Sequence, residues 1–133
     1  MTTYNQSYSG QEGDYVKVLD LNQEPSEYRL FTAKNGNVRV NNLIVLCPDS
    51  DCNGKVKSIS VITDTKTPQV FIDKTRGNVK NLTAENEIIG DGNITLKDGK
   101  SIVLILEGGP SQPEYLLEVH VSAKAITKGA ELF

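Results

Sequence analysis

Residues 58–73 read SISVITDTKTPQVFID, two short apolar runs joined by the polar segment Asp64–Thr67 and Pro68. Val56, Ser58, Ser60 and Ile62 oppose Lys57, Ile59, Val61 and Thr63, the period of two that a pleated strand imposes. The continuous Ile59–Ile62 block predicts cover on both faces of that strand. Beyond the turn, Val70 and Ile72 alternate with Gln69, Phe71 and Asp73. Strand, Thr/Asp turn and second strand together predict a β-hairpin.

Working outward, the same grammar continues. Val16, Val18, Leu19 and Leu21 mark a first strand beginning at Tyr15, and Tyr28–Ala33 a second. Asn35-Gly36, a type I′ signal, leads into Val38–Leu46. Short strands are expected around Val79–Leu82, Ile88–Ile89 and Asn93–Leu96, with a second type I′ signal at Asp98-Gly99. Ser101–Glu107 is the most hydrophobic run, Gly108–Pro113 (GGPSQP) is a turn, and Tyr115–Ser122 closes the series. Nothing holds a 3.6-residue period over ten or more positions. The prediction is an all-β, antiparallel β-sandwich over residues 15–125. An N-terminal arm (1–14) and a C-terminal tail (126–133) flank it.

A chain of 133 residues fits one domain. It has no Trp, three Phe and five Tyr, so Val, Ile and Leu carry the apolar content. No apolar run reaches the roughly 18 residues of a membrane helix, and the N-terminus has no secretory pattern. The net charge of −3 is unevenly spread. Residues 1–33 hold two bases and five acids, 34–80 eight and four, and 81–133 four and eight. That balance, with only Phe71 near the basic segment, speaks against nucleic acid.

Candidate chemistry is sparse. Asp49, Asp51 and Asn53, followed by Gly54, match the opening of a calcium loop, in which alternate carboxylates converge on one hard cation. The acid required at loop position twelve falls on Ser60, so calcium is only a weak alternative. Cys47 and Cys52 span the same loop, and the spacing leaves thiols and a short disulfide both open. His120 is the sole histidine. With Glu118 two residues back it still lacks a nucleophile to serve. The expectation is a protein with no catalytic residues and no cofactor, acting through its surfaces. Tyr4 and Tyr8 on the polar arm, Tyr15 at its root, and the basic residues Lys66, Lys74 and Arg76 are the candidate partner contacts.

From Lys57 onward the order of strands and turns resembles the small jelly-roll-like β-sandwiches of accessory virion proteins in tailed bacteriophages, of the capsid decoration (cement) type. The shared pattern is a strand ending in a Thr/Asp turn (Ser58–Thr67), a V-x-I strand (Val70, Ile72), an I-T-L-x-D-G strand and turn (Ile94–Gly99), a long aliphatic strand (Ile102–Leu106), and a last strand ending V-x-V-S-A (Val119–Ala123). The resemblance covers residues 57–125. It implies a virion location after assembly in the host cytoplasm, with the major capsid protein or another virion protein as partner. It also implies an N-terminal docking arm and a homo-oligomer (a trimer), while the charge balance and hydropathy already speak against nucleic acid and membrane as partners. The alternative is a non-catalytic β-sandwich module for a glycan or cell-surface ligand, assisted by calcium at Asp49, Asp51 and Asn53.

Overall fold

The computed structural model describes residues 12–20, 27–47, 57–83, 85–108 and 116–133. Ten strands are found there: β1 (Glu12–Asp20), β2 (Glu27–Lys34), β3 (Val38–Leu46), β4 (Ser58–Thr63), β5 (Val70–Ile72), β6 (Ile88–Ile89), β7 (Ile94–Leu96), β8 (Ser101–Glu107), β9 (Leu116–Ala125) and β10 (Glu131–Leu132). One sheet has the order β1-β9-β3-β6, with β7 also pairing β3; the other runs β10-β2-β8-β4-β5. Every pairing is antiparallel. The fold is an all-β antiparallel sandwich, as the strand grammar predicts, and jelly-roll-like, as the resemblance implies.

Alternation builds the core. Leu117, Val119, Val121, Ala123 and Ala125 turn inward from β9 and meet Ile102, Leu104 and Leu106 from β8. Leu43, Val45, Ile59, Val61, Phe71 and Ile72 are fully buried between them. Such side chains lose essentially all contact with water, at roughly 25 cal/mol per Å² of apolar surface.

The two central strands, β8 and β9, take their neighbours from both ends of the chain. β9 lies between β1 and β3, and β8 between β2 and β4. The segment 57–125 that carries the family pattern is therefore half of an interlocked sandwich and has no separate core.

The β4–β5 hairpin forms as the sequence predicts. Thr63 N–H donates to Gln69 O (3.0 Å), and Gln69 N–H to the Thr63 hydroxyl (2.9 Å). The alternation within β5 does not hold. The register shifts between Val61 and Ile62, so Val70 faces out at 42% exposure while Phe71 is fully buried. Val16 and Val18 likewise lie on the solvent face of β1, and Tyr15 and Leu19 point toward the core.

Further expectations are corrected. Val79–Asn81 is a 3-10 turn, capped by the Asn78 side chain accepting Lys80 N–H, and not a strand. Asp98-Gly99 has only Gly99 at positive φ (+83°), the requirement of a type II and not a type I′ turn. Asn35 (φ 66°) and Gly36 (φ 136°) both have positive φ, yet β2 and β3 belong to different sheets, so the turn crosses the sandwich and forms no hairpin. Glu12, Gly13 and Asp14 are paired with β9 and belong to β1 instead of a free arm. Residues 126–133 are no tail: Ala130 and Leu132 are buried, and β10 pairs β2.

Candidate interaction surfaces

Of the predicted partner contacts, Tyr4 and Tyr8 lie outside the described residues, as do Asp49, Asp51, Asn53 and Cys52. Tyr15 sits in β1 opposite Val121 and meets the Phe31 ring edge-on, with centroids 6.1 Å apart. Its ring is thus part of the packing between the sheets. Cys47 is buried at the end of β3.

The three basic residues are not equivalent. Lys66 is exposed on the β4–β5 turn. Lys74 Nζ lies 3.6 Å from Glu107 Oε1, both largely in solvent, a pair worth little to stability. Arg76 works inside the chain. Its guanidinium donates to Phe71 O, to Asp91 Oδ1 (3.2 Å) and to Ile89 O (3.5 Å). The planar fork ties β5 to β6 and to the segment that follows it, a task for which the single ammonium of lysine lacks geometry.

The outer face of the first sheet follows from its register. Val16, His120, Ile44 and Ile89 form one row across four strands, and Val18, Glu118 and Leu46 the next. Val16, Val18 and Ile89 are more than half exposed. His120 Nε2 lies 2.9 Å from Glu118 Oε1 in the middle of this band. The contact holds two polar groups together on an apolar face, and among the described residues no hydroxyl or thiol is hydrogen-bonded to either side chain. Among the described residues no cluster of His, Cys, Asp or Glu could hold a metal ion, and no helix is long and apolar enough to cross a membrane.

One end of the sandwich is organised by Asn37, which sequence reading did not single out. Its backbone N–H donates to the Thr127 hydroxyl (3.1 Å), and its carbonyl accepts Ile126 N–H (2.9 Å). Its side-chain Oδ1 accepts Asp98 N–H (3.0 Å). Gly36 permits this closeness: a Cβ there would stand 2.4 Å from Thr127 Cβ. Alongside, Ser101 N–H donates to Asp64 Oδ1 (2.7 Å) and Asp64 N–H returns to Ser101 O (3.0 Å). The β4–β5 and β7–β8 turns are thereby fixed next to each other, and between them opens a cleft of about 320 Å³.

With this geometry, comparison with known proteins is informative at the level of fold. No family model matches the chain, and no curated protein matches it by sequence. Solved structures do. A chain in the capsid asymmetric unit of cyanophage Pam1 superposes with a TM-score of 0.58 at 8% identity, covering 93% of this chain and 91% of that one. A chain of the acid-stable capsid of Helicobacter pylori bacteriophage KHP30 gives 0.51 at 13% identity, covering 92% and 97%. The sandwich is a fold found in phage capsids. In both cases the likeness spans nearly the whole of each chain, so it includes strands on both sides of Lys57.

Proposed function

We propose that this chain is a structural protein of a phage virion, specifically a capsid decoration (cement) protein that binds and stabilises the shell by surface contacts and has no enzymatic activity. The observation that carries this reading is the near end-to-end match to the Pam1 capsid chain, over 93% and 91% of the two lengths. The KHP30 capsid chain supports it independently. The partner on this reading is the major capsid protein or a neighbouring virion protein. The exposed Val16, Val18 and Ile89 supply apolar contact area on one face. Many weak contacts, linked through an oligomer such as a trimer, add up to avidity against internal pressure.

The test is mass spectrometry of purified virions from the phage that encodes the chain, followed by its removal and re-addition. The chain is expected in many copies per particle, and stripped particles are expected to lose heat resistance that added protein restores. Absence from purified virions overturns the virion reading. Presence without any effect on particle stability overturns the cement reading alone.

A further inference from the structure

The cleft at the Asn37 end has a one-sided chemistry. Its walls come from both sheets, through the β4–β5 turn and the β7–β8 turn, and three lysines stand on them: Lys66, Lys97 and Lys100. No Asp or Glu lines it, in a chain whose net charge is −3. Among the described residues none of the three ammonium groups is ion-paired. The adjoining carboxylate of Asp64 already accepts Ser101 N–H and stands outside the lining.

The neutral groups point the same way. Thr63 and Thr65 hydroxyls are occupied by each other and by the turn backbone. The Thr67 and Thr95 hydroxyls and the Gln69 amide also line the cleft and make no hydrogen bond to another described residue. Three exposed lysines and side chains with uncommitted polar groups thus line one concave space, where their field is concentrated.

We infer that this cleft receives the carboxylate side chains of an acidic protein segment, and that it is a charge-reading contact of the chain with its partner. The choice of an anion rests on the cleft alone; the choice of a protein as its source rests on the virion reading. Lysine ammonium groups are point charges that pair with carboxylate and phosphate alike, so the choice of carboxylate follows from the protein source. The space is at the small end of ligand sites, enough for one or two side chains. No aromatic ring lines it, which leaves a saccharide without a stacking platform.

The experiment is a titration of the isotope-labelled full chain, followed by amide NMR, with a hexaglutamate peptide, with pyrophosphate and with a heparin-derived tetrasaccharide in separate arms. Hexaglutamate is expected to shift amides of residues 65–69 and 95–100. The triple variant Lys66→Gln, Lys97→Gln, Lys100→Gln should weaken binding by roughly tenfold or more while the melting temperature stays unchanged. Raising salt from low to physiological strength should weaken the parent chain several-fold. Peptide shifts that miss both turns, or that persist in the triple variant, overturn the inference. Tighter binding of pyrophosphate or the tetrasaccharide than of the peptide overturns the protein source. All of these readouts are independent of whether the chain is found in virions.

Discussion

The side chain of Asn37 accepts the backbone N–H of Asp98 at 3.0 Å, although 61 positions separate the two residues. Asn37 lies on the β2–β3 crossing and Asp98 on the β7–β8 crossing, and the β9–β10 connection joins them through Thr127. Three sheet-crossing turns are thus closed around one residue. Asn37→Ala removes only the side-chain acceptor, leaving the three bonds that its backbone makes to Ile126 and Thr127. The contact is exposed, so water can take over the Asp98 N–H, and the expected loss is about 1 kcal/mol. Asn37→Asp keeps the acceptor and should retain most of the stability. Urea unfolding of both variants checks the difference.

The slipped register of β5 makes Phe71, and not Val70, the anchor of the hairpin. Phe71 is fully buried, whereas Val70 is 42% exposed. Phe71→Ala should cost about 3–5 kcal/mol, the range for a fully buried aromatic. Val70→Thr keeps the β-branch on a solvent face and should stay within about 0.5 kcal/mol of the parent. If Val70→Thr proves as damaging as Phe71→Ala, the bulge between Val61 and Ile62 is wrong.

Gly77 is required by space. A Cβ there would stand 1.8 Å from Ile59 O, at the point where Ile59 N–H donates to Gly77 O and Gly77 N–H to Asp73 O. Gly77→Ala must push β4 from the turn, and a loss of about 3 kcal/mol is expected, at the upper end of the range for overpacking. Gly99 is the control. Its φ is +83° but nothing lies within 4 Å of the added carbon, so Gly99→Ala should cost only about 1 kcal/mol of backbone strain. Thermal unfolding of the two side by side separates steric from conformational cost.

What the sequence disclosed follows from which forces are local. Alternation is a property of neighbouring residues, so β2, β3, β4, β8 and β9 could be read directly. The destination of a strand is not local. Asn35-Gly36 and Asp98-Gly99 announce turns, but whether the chain folds back into the same sheet or crosses to the other depends on burial summed over distant strands. Bulges are hidden for the same reason: the slip in β5 inverts Val70 and Phe71 without leaving a mark on composition. Residues 126–133 looked like a tail because Ile126-Thr127-Lys128-Gly129 carries no alternation, although Ala130 and Leu132 fill a place prepared by β2. Among the surface residues, a basic cluster around the hairpin was legible as charge. That Arg76 is bound within the chain while Lys66 joins Lys97 and Lys100 required their positions in space.

Arg76 gives that division a test. Its side chain bridges Phe71, Ile89 and Asp91, so its loss should register in stability before it registers in binding. The ion pair with Asp91 is exposed and contributes under about 1 kcal/mol, and the carbonyl contacts add about as much again. Arg76→Lys is expected to recover little of this, because one ammonium cannot reach three acceptors. Lys66→Gln should leave unfolding unchanged. Equal stability of Arg76→Ala and the parent chain would return Arg76 to the role of a partner contact.

The C-terminal strand offers the sharpest test of where the domain ends. Thr32 N–H donates to Phe133 O at 2.8 Å and Phe133 N–H returns to Thr32 O at 2.9 Å, closing the second sheet with β10. Leu132 beneath this pairing is 5% exposed, whereas the Phe133 ring is 56% exposed and lies 4.6 Å from Lys34 Nζ. Leu132→Ala should therefore cost about 2–3 kcal/mol, at the low end for a buried leucine because the site lies at the sheet edge. Phe133→Ala loses one exposed cation–π contact and should cost under about 1 kcal/mol. Deleting residues 130–133 removes the strand, bares Ala33 and leaves Thr32 with two unpaired backbone groups, so the loss should exceed that of Leu132→Ala. A deletion as stable as the parent in urea would show that the chain ends its fold at Ala125, as its sequence alone suggests.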